Sequence, residues 1–428
     1  MTAVDLLVHP IGELATPDCK GPARGHSLGK VKRIRDAAIA VAGGKVIAAG
    51  PAKHVLDQID SRDALIVDAS RKVVTPGLVD PHTHLIFEGN RSNEFLMRCA
   101  GKTYAEIATA GGGIVASMSA TRNASLEQLV ASGRRRLKRM LSTGTTTCEV
   151  KTGYGLSADS ELRMLQAIML LQQTQQCIDL VPTFMPAHAF PPQVDREKYI
   201  NDIVDDMLPR AVRLVQEASN GKKLTLFNDV FCDKGYFTLD ESRRILEAGA
   251  KLGCKAKVHS DEFASLGATA LAADIGAASA DHLLNITDDD IARLAASNTA
   301  AVLLPGTSFF LNLPEHAPAR KLIDAGAIVA LGTDFNPGSC HISSLPFIWG
   351  LACLHLKMTV EEALSALTIN SAHAVGRGDT IGQLTPGRAA DIVLYDVEAL
   401  EEIPYNIGWN PVSLVIKNGR IVYQKNGE

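Results

Sequence analysis

At 428 residues the chain is too long for one small core and suits a large barrel with an accessory module. Hydrophobic residues make up 46% and charged residues 21%, an ordinary globular composition. A net charge of −4 with both signs interspersed excludes a bulk basic field for nucleic acid, and no apolar run approaches membrane-spanning length.

The first 75 residues lack long helical periodicity. Runs at 37–41 and 45–49 flank Gly43-Gly44 and read as a β-hairpin. The other end repeats this texture at 390–395 and 414–423, where Asn418-Gly419 between two apolar runs signals another hairpin. Residues 1–75 and 385–428 are therefore expected to meet in one composite β-sandwich. The middle, 76–384, alternates short apolar strands with helices at 126–142, 159–176 and 240–252. Strands are expected at 78–80, 145–150, 179–184, 228–231, 255–258, 277–280, 300–304 and 327–331. Eight such units make an α/β fold of the (β/α)₈ type, with chemistry where the strands end. Pro76-Gly77 reads as a turn, and the basic run 134–139 as a solvated helix face. The eight cysteines form no Cys-x-x-Cys pair and no secretory leader opens the chain, so reduced thiols and a cytoplasmic location are expected.

Strand one runs into His82-Thr83-His84. Residues i and i+2 on a strand share a face, so the two imidazoles project side by side. Alone, such a pair is equally two solvated histidines. The other strand ends decide it: His188 after strand three, His259-Ser260-Asp261-Glu262 after five, Asp281-His282 after six and Asp334 after eight. Three imidazoles and one carboxylate (His82, His84, His259 and Asp334) can hold one cation and leave a place for water. A cation there lowers the pKa of water toward about 7 and polarises a carbonyl, which points to hydrolysis. Asp334 would accept the water's proton, and His282 would orient or shuttle it.

This arrangement resembles the amidohydrolase superfamily, and within it the imidazolonepropionase family. The resemblance rests on residues 76–84, Ala110-Gly111-Gly112-Gly113-Ile114, Glu149-Val150-Lys151-Thr152-Gly153-Tyr154-Gly155-Leu156, 279–283 and Thr333-Asp334-Phe335-Asn336-Pro337-Gly338. It implies opening of the cyclic amide of 4-imidazolone-5-propanoate to N-formimidoyl-L-glutamate, with Glu262 passing a proton to the departing ring nitrogen. His282 or His188 would help the cation to stabilise the oxyanion. It further implies one zinc or iron ion per subunit, a homodimer, no nucleic acid and no membrane. Arg91 matches the family's carboxylate-binding arginine; Tyr154, His188 and Glu262 match substrate contacts; Asn336, Gly338 and Ser339 match product contacts. Gly111-Gly112-Gly113 reads as a lid or a close backbone approach. Lys234, past strand four, reads as a surface residue rather than a bridging ligand, so the site is expected to hold one ion. Met185-Pro186 and residues 305–310 depart from many relatives near the expected mouth. Two rivals remain: a heterocycle deaminase releasing ammonia, and a non-catalytic barrel scaffold that should have lost ligands.

Overall fold

The computed structural model describes every residue except 103–105, 107–111, 176, 220–223 and 426–428. Part of the triple-glycine segment, Ala110 and Gly111, therefore lies outside the described residues.

Both chain ends build one seven-stranded mixed sheet. Its spatial order is Arg420–Gln424, Val412–Lys417, Ile392–Tyr395, Leu65–Pro76, Leu6–Pro17, Val31–Ala42, Lys45–Pro51. The expected sandwich is thus one continuous sheet, with a parallel pair, Thr2–Ala3 and Ile59–Asp60, beside it. Leu6, Ile39 and Val67 from the first end share an apolar cluster with Ile392, Leu394 and Ile416 from the last. Both hairpins turn through left-handed residues, Gly43 and Gly44 at φ 56° and 77° and Asn418 and Gly419 at φ 48° and 74°. The two turns touch: a Cβ on Gly44 would lie 2.9 Å from the Asn418 carbonyl oxygen.

The middle forms eight parallel strands in consecutive order: β1 Leu78–Asp80, β2 Thr145–Lys151, β3 Asp179–Ala187, β4 Phe227–Cys232, β5 Lys255–Ser260, β6 Ser279–His282, β7 Ala300–Leu303 and β8 Ile328–Leu331. Pro76-Gly77 is not a turn. The sheet strand ends at Pro76, β1 starts at Leu78, and Gly77 lies outside the left-handed region. Glycine is needed there for space, since a Cβ would meet Thr146 Oγ1 at 2.2 Å. β6 runs two residues later than its apolar run suggests, because Asp281 and His282 belong to the strand. The helix Leu126–Ser142 opens on a capping box of Ser125 and Gln128. Within its basic run Arg136 is the exception to solvation: it donates to the carbonyls of Leu85 and Phe87 and stacks 3.4 Å over the Phe87 ring. Among the described residues no helix is long and apolar enough to cross a membrane.

Candidate metal centre and active site

The barrel seam passes through the expected ligands. The Asp334 N–H donates to His82 O at 3.0 Å and the His84 N–H to Phe335 O at 2.9 Å, which ties the end of β1 to the end of β8. Between the histidines Thr83 turns the other way, its N–H donating to Glu149 Oε2 and its hydroxyl to the Glu149 carbonyl. His82 and His84 are left on one side, with ring centroids 5.4 Å apart. β5 and β6, paired in register through His259–Asp281 and Ser260–His282, bring the remaining imidazoles to the same place.

Here the structure brings His82, His84, His259, His282 and Asp334 together, all buried. Candidate ligand atoms of His82, His84 and Asp334 lie within 4.8 Å of one another, as do those of His82, His259 and His282. His82 Nε2 stands 3.4 Å and His84 Nε2 3.7 Å from Asp334 Oδ1. The Nε2 atoms of His84 and His259 face each other at 3.3 Å. Carboxylates orient two of the rings from behind: Asp281 Oδ2 accepts from His82 Nδ1 at 2.6 Å, and Asp229 accepts from His259 Nδ1 at 3.2 Å. With Nδ1 carrying the proton, each Nε2 lone pair points into the cluster. Burial first, then neighbouring positive groups, holds His82, His84 and His282 well below the usual imidazole range and therefore neutral. Neutral imidazoles are the ligating form. His82 Nε2 is buried without a hydrogen-bond partner, which in a well-packed protein asks for an explanation. A cation held by the Nε2 atoms of His82, His84 and His259 with Asp334 fits this donor set.

The other predicted site residues line the cavity above this cluster, among them Arg91, Tyr154, His188, Glu262, Asn336, Gly338 and Ser339. His188 stacks on His84 with centroids 4.7 Å apart, and its Nδ1 donates to Gly153 O at 2.9 Å. Burial and the neighbouring His259 lower its pKa to about 3, leaving it neutral. Glu262 Oε2 lies 3.6 Å from His282 Nδ1. Burial, with the Asp334 and Asp233 charges adding to it, pushes Glu262 well above the ordinary carboxylate range, so it holds a proton. Asp334 rises to about 6 through burial, and Thr307 partly offsets this by donating to its Oδ2 at 2.6 Å. Asn336 is committed to its own loop: Oδ1 accepts from the N–H groups of Gly338 and Ser339, and Nδ2 donates to Asp334 O. Lys234 is exposed, as read.

Several contributors have roles that the strand ends alone do not reveal. Lys151 is fully buried inside the barrel, 2.8 Å from Glu149 and 2.7 Å from Asp229. Burial opposes its charge, but Asp229, Glu149 and Asp281 outweigh that and keep it protonated. Buried Glu161 accepts from the N–H groups of Gly153, Gly155 and Leu156, so the Lys-Thr-Gly-Tyr-Gly-Leu segment is wrapped around a carboxylate. Asp233 likewise accepts from the N–H groups of Glu262, Phe263 and Ala264 and fixes the β5 loop. Arg98, Phe231, Tyr236 and Phe263 also line the cavity. Asp261, His282 and Asp334 hold left-handed backbone at φ 52°, 79° and 51°. Such strain costs about 1–3 kcal/mol per residue and gathers at working sites. A larger cavity near Cys254, Lys255 and His373 opens beside the start of β5, at the barrel end opposite the chemistry.

The chain matches the Amidohydrolase family over residues 100–423. It is 43% identical over 425 residues to an imidazolonepropionase of Alkaliphilus metalliredigens, covering 99% of each chain. It is 45% identical over 425 residues to an imidazolonepropionase of Symbiobacterium thermophilum, covering 99% of this chain and 98% of the other. Among solved structures it resembles the E. coli guanine deaminase with a TM-score of 0.72 at 16% identity, covering 98% and 99% of the two chains. At that identity the likeness speaks for the fold alone.

Proposed function

The chain belongs to the amidohydrolase family and within it to the imidazolonepropionases, and from that premise we infer how its own residues open a small cyclic amide. The carrying observation is the convergence of His82, His84, His259 and Asp334 at the barrel seam, beneath a cavity that also holds Arg91. The reaction adds water across the ring amide of 4-imidazolone-5-propanoate. The carbonyl carbon gains a hydroxyl, the carbon–nitrogen bond breaks, the nitrogen takes a proton, and N-formimidoyl-L-glutamate leaves.

One zinc or iron ion per chain, held by those four residues, would supply Lewis acidity and water of lowered pKa. Asp334 faces the cluster with Oδ1 while Thr307 holds Oδ2, so Oδ1 is the acceptor for the proton that water gives up. Neutral His282, with Nδ1 3.6 Å from Glu262 Oε2, orients the exchange. Protonated Glu262 is the donor for the departing ring nitrogen. His188, its Nδ1–H committed to Gly153 O, presents Nε2 to the substrate carbonyl region alongside Tyr154. Arg91 offers a guanidinium to the propionate. Asn336, Gly338 and Ser339 form the wall against which the opened product rests. Residues 1–75 with 385–428 are taken as the accessory unit and 76–384 as the catalytic barrel. A homodimer is in keeping with exposed Leu354, Tyr405, Ile407 and Trp409, and a reducing cytoplasm with eight free cysteines.

Turnover in water enriched with oxygen-18 tests the reaction. One heavy oxygen is expected in the new carboxylate, with no ammonia released. Ammonia release without ring opening would favour a deaminase instead.

A further inference from the structure

A second guanidinium reaches the same cavity from the helix Ser92–Cys99. The first, Arg91, is already matched inside the protein: its Nε and Nη2 donate to the two oxygens of Glu94 at 2.8 and 2.6 Å. Glu94 is buried and also accepts from the Gly113 N–H at 2.8 Å, so its charge is fixed in place. Arg98 lines the cavity too, yet among the described residues no carboxylate lies within ion-pair distance of it. Its Nη1 and Nη2 both point at a single acceptor, Gly338 O, at 3.3 Å each. These are long contacts for N–H···O bonds. The same glycine separates the two arginines, since a Cβ on Gly338 would lie 1.8 Å from Arg91 Nη1. Phe310 backs Arg98, its ring centroid 5.2 Å from the guanidinium carbon. With Arg91 and Glu94 cancelling, the group carries one positive charge, the complement of one carboxylate.

We propose that Arg98 is a specificity-determining residue that takes the acidic tail of the substrate, its Nη pair exchanging one carbonyl oxygen for the two oxygens of a carboxylate. Arg91, held by Glu94, flanks that carboxylate from across Gly338. A guanidinium fork and a carboxylate match edge to edge, and such charged pairs are the strong ones. The inference rests on the ring-opening reaction given above and adds the residue that selects for its charge.

Arg98→Met and Arg98→Lys, assayed as full-length metal-loaded enzyme, test it against two compounds. One is 4-imidazolone-5-propanoate; the other is its propionamide, which has the same ring and a neutral tail. For the acid, Arg98→Met is expected to raise KM about 30-fold with kcat within about 3-fold, and Arg98→Lys to fall between it and the wild type. KM for the amide should stay unchanged in both variants. A KM for the acid within about 2-fold of wild type would overturn the proposal. An equal rise for acid and amide would do the same, since it would reveal a merely structural role. Wild-type enzyme that opens neither compound would instead overturn the reaction itself, and the proposal with it.

Discussion

Asp281 shows how one residue governs the site without touching its centre. Its carboxylate takes the Nδ1 proton of His82 at 2.6 Å and so aims Nε2 at the cluster. Removing such an orienting acceptor typically weakens metal binding about 10–100-fold, which is the effect expected of Asp281→Ala in competition with a chelating dye. Asp281→Asn, which keeps an acceptor oxygen and the volume, should lose less. Gly338 makes a second case. Gly338→Ala places a methyl where Arg91 Nη1 now lies, so KM for the acidic substrate should rise at least about 10-fold in steady-state assays while kcat changes less. The candidate ligands are legible because histidines and acids at the ends of apolar runs stand out. Glu149 and Lys151 stand in a recognisable motif but carry no visible role there, and Asp229 and Glu161 do not stand out, because a charged residue within a strand or helix reads as a solvent face. Only closure of the barrel turns Lys151 and Asp229 inward, where they satisfy each other.

At the level of elements, the alternation of strand and helix was readable along the whole middle of the chain. Apolar residues stop at Ala280, yet β6 continues through Asp281 and His282 because the barrel interior at its mouth is polar and paired. Pro76-Gly77 carries the composition of a turn, and nothing local reveals that Gly77 is there to let β1 lie against Thr146. Gly77→Ala is therefore expected to cost about 1–3 kcal/mol through overpacking, measurable by urea unfolding, with metal content intact in the folded fraction. Stability equal to wild type would mean that Thr146 yields freely. The helix Leu126–Ser142, by contrast, keeps the bounds its sequence suggests, and the structure adds the capping box of Ser125 and Gln128.

Across the whole molecule, two distant ends of the chain hold one sheet against the barrel. Asp179, the first residue of β3, pairs with Lys417 at the end of the strand Val412–Lys417 at 2.9 Å and with Arg377 at 3.2 Å. Burial alone would raise the Asp179 pKa, but Lys417 and Arg377 outweigh it and hold it below the usual carboxylate value. The folded protein thus binds this proton more weakly than the unfolded chain. The resulting stability is present above the unfolded value of about 4 and is lost as pH falls through the depressed folded value. Asp179→Asn should cost about 2 kcal/mol near neutral pH and flatten the loss of stability in acid, as read by denaturant unfolding across that range. The meeting of the ends was visible in their matching hairpin texture; the continuity of the sheet was not, because strand order is set by long-range pairing.

The proposed ring opening depends on the four-ligand centre. Its most direct test follows the ultraviolet absorbance of fresh 4-imidazolone-5-propanoate in parallel with metal analysis of the same enzyme. About one zinc or iron ion per chain is expected, with absorbance lost in the loaded enzyme, turnover abolished by a chelator and restored by the ion. His82→Ala should lack both metal and turnover. Undiminished ring opening by metal-free enzyme, or by His82→Ala, would contradict the assignment of the centre.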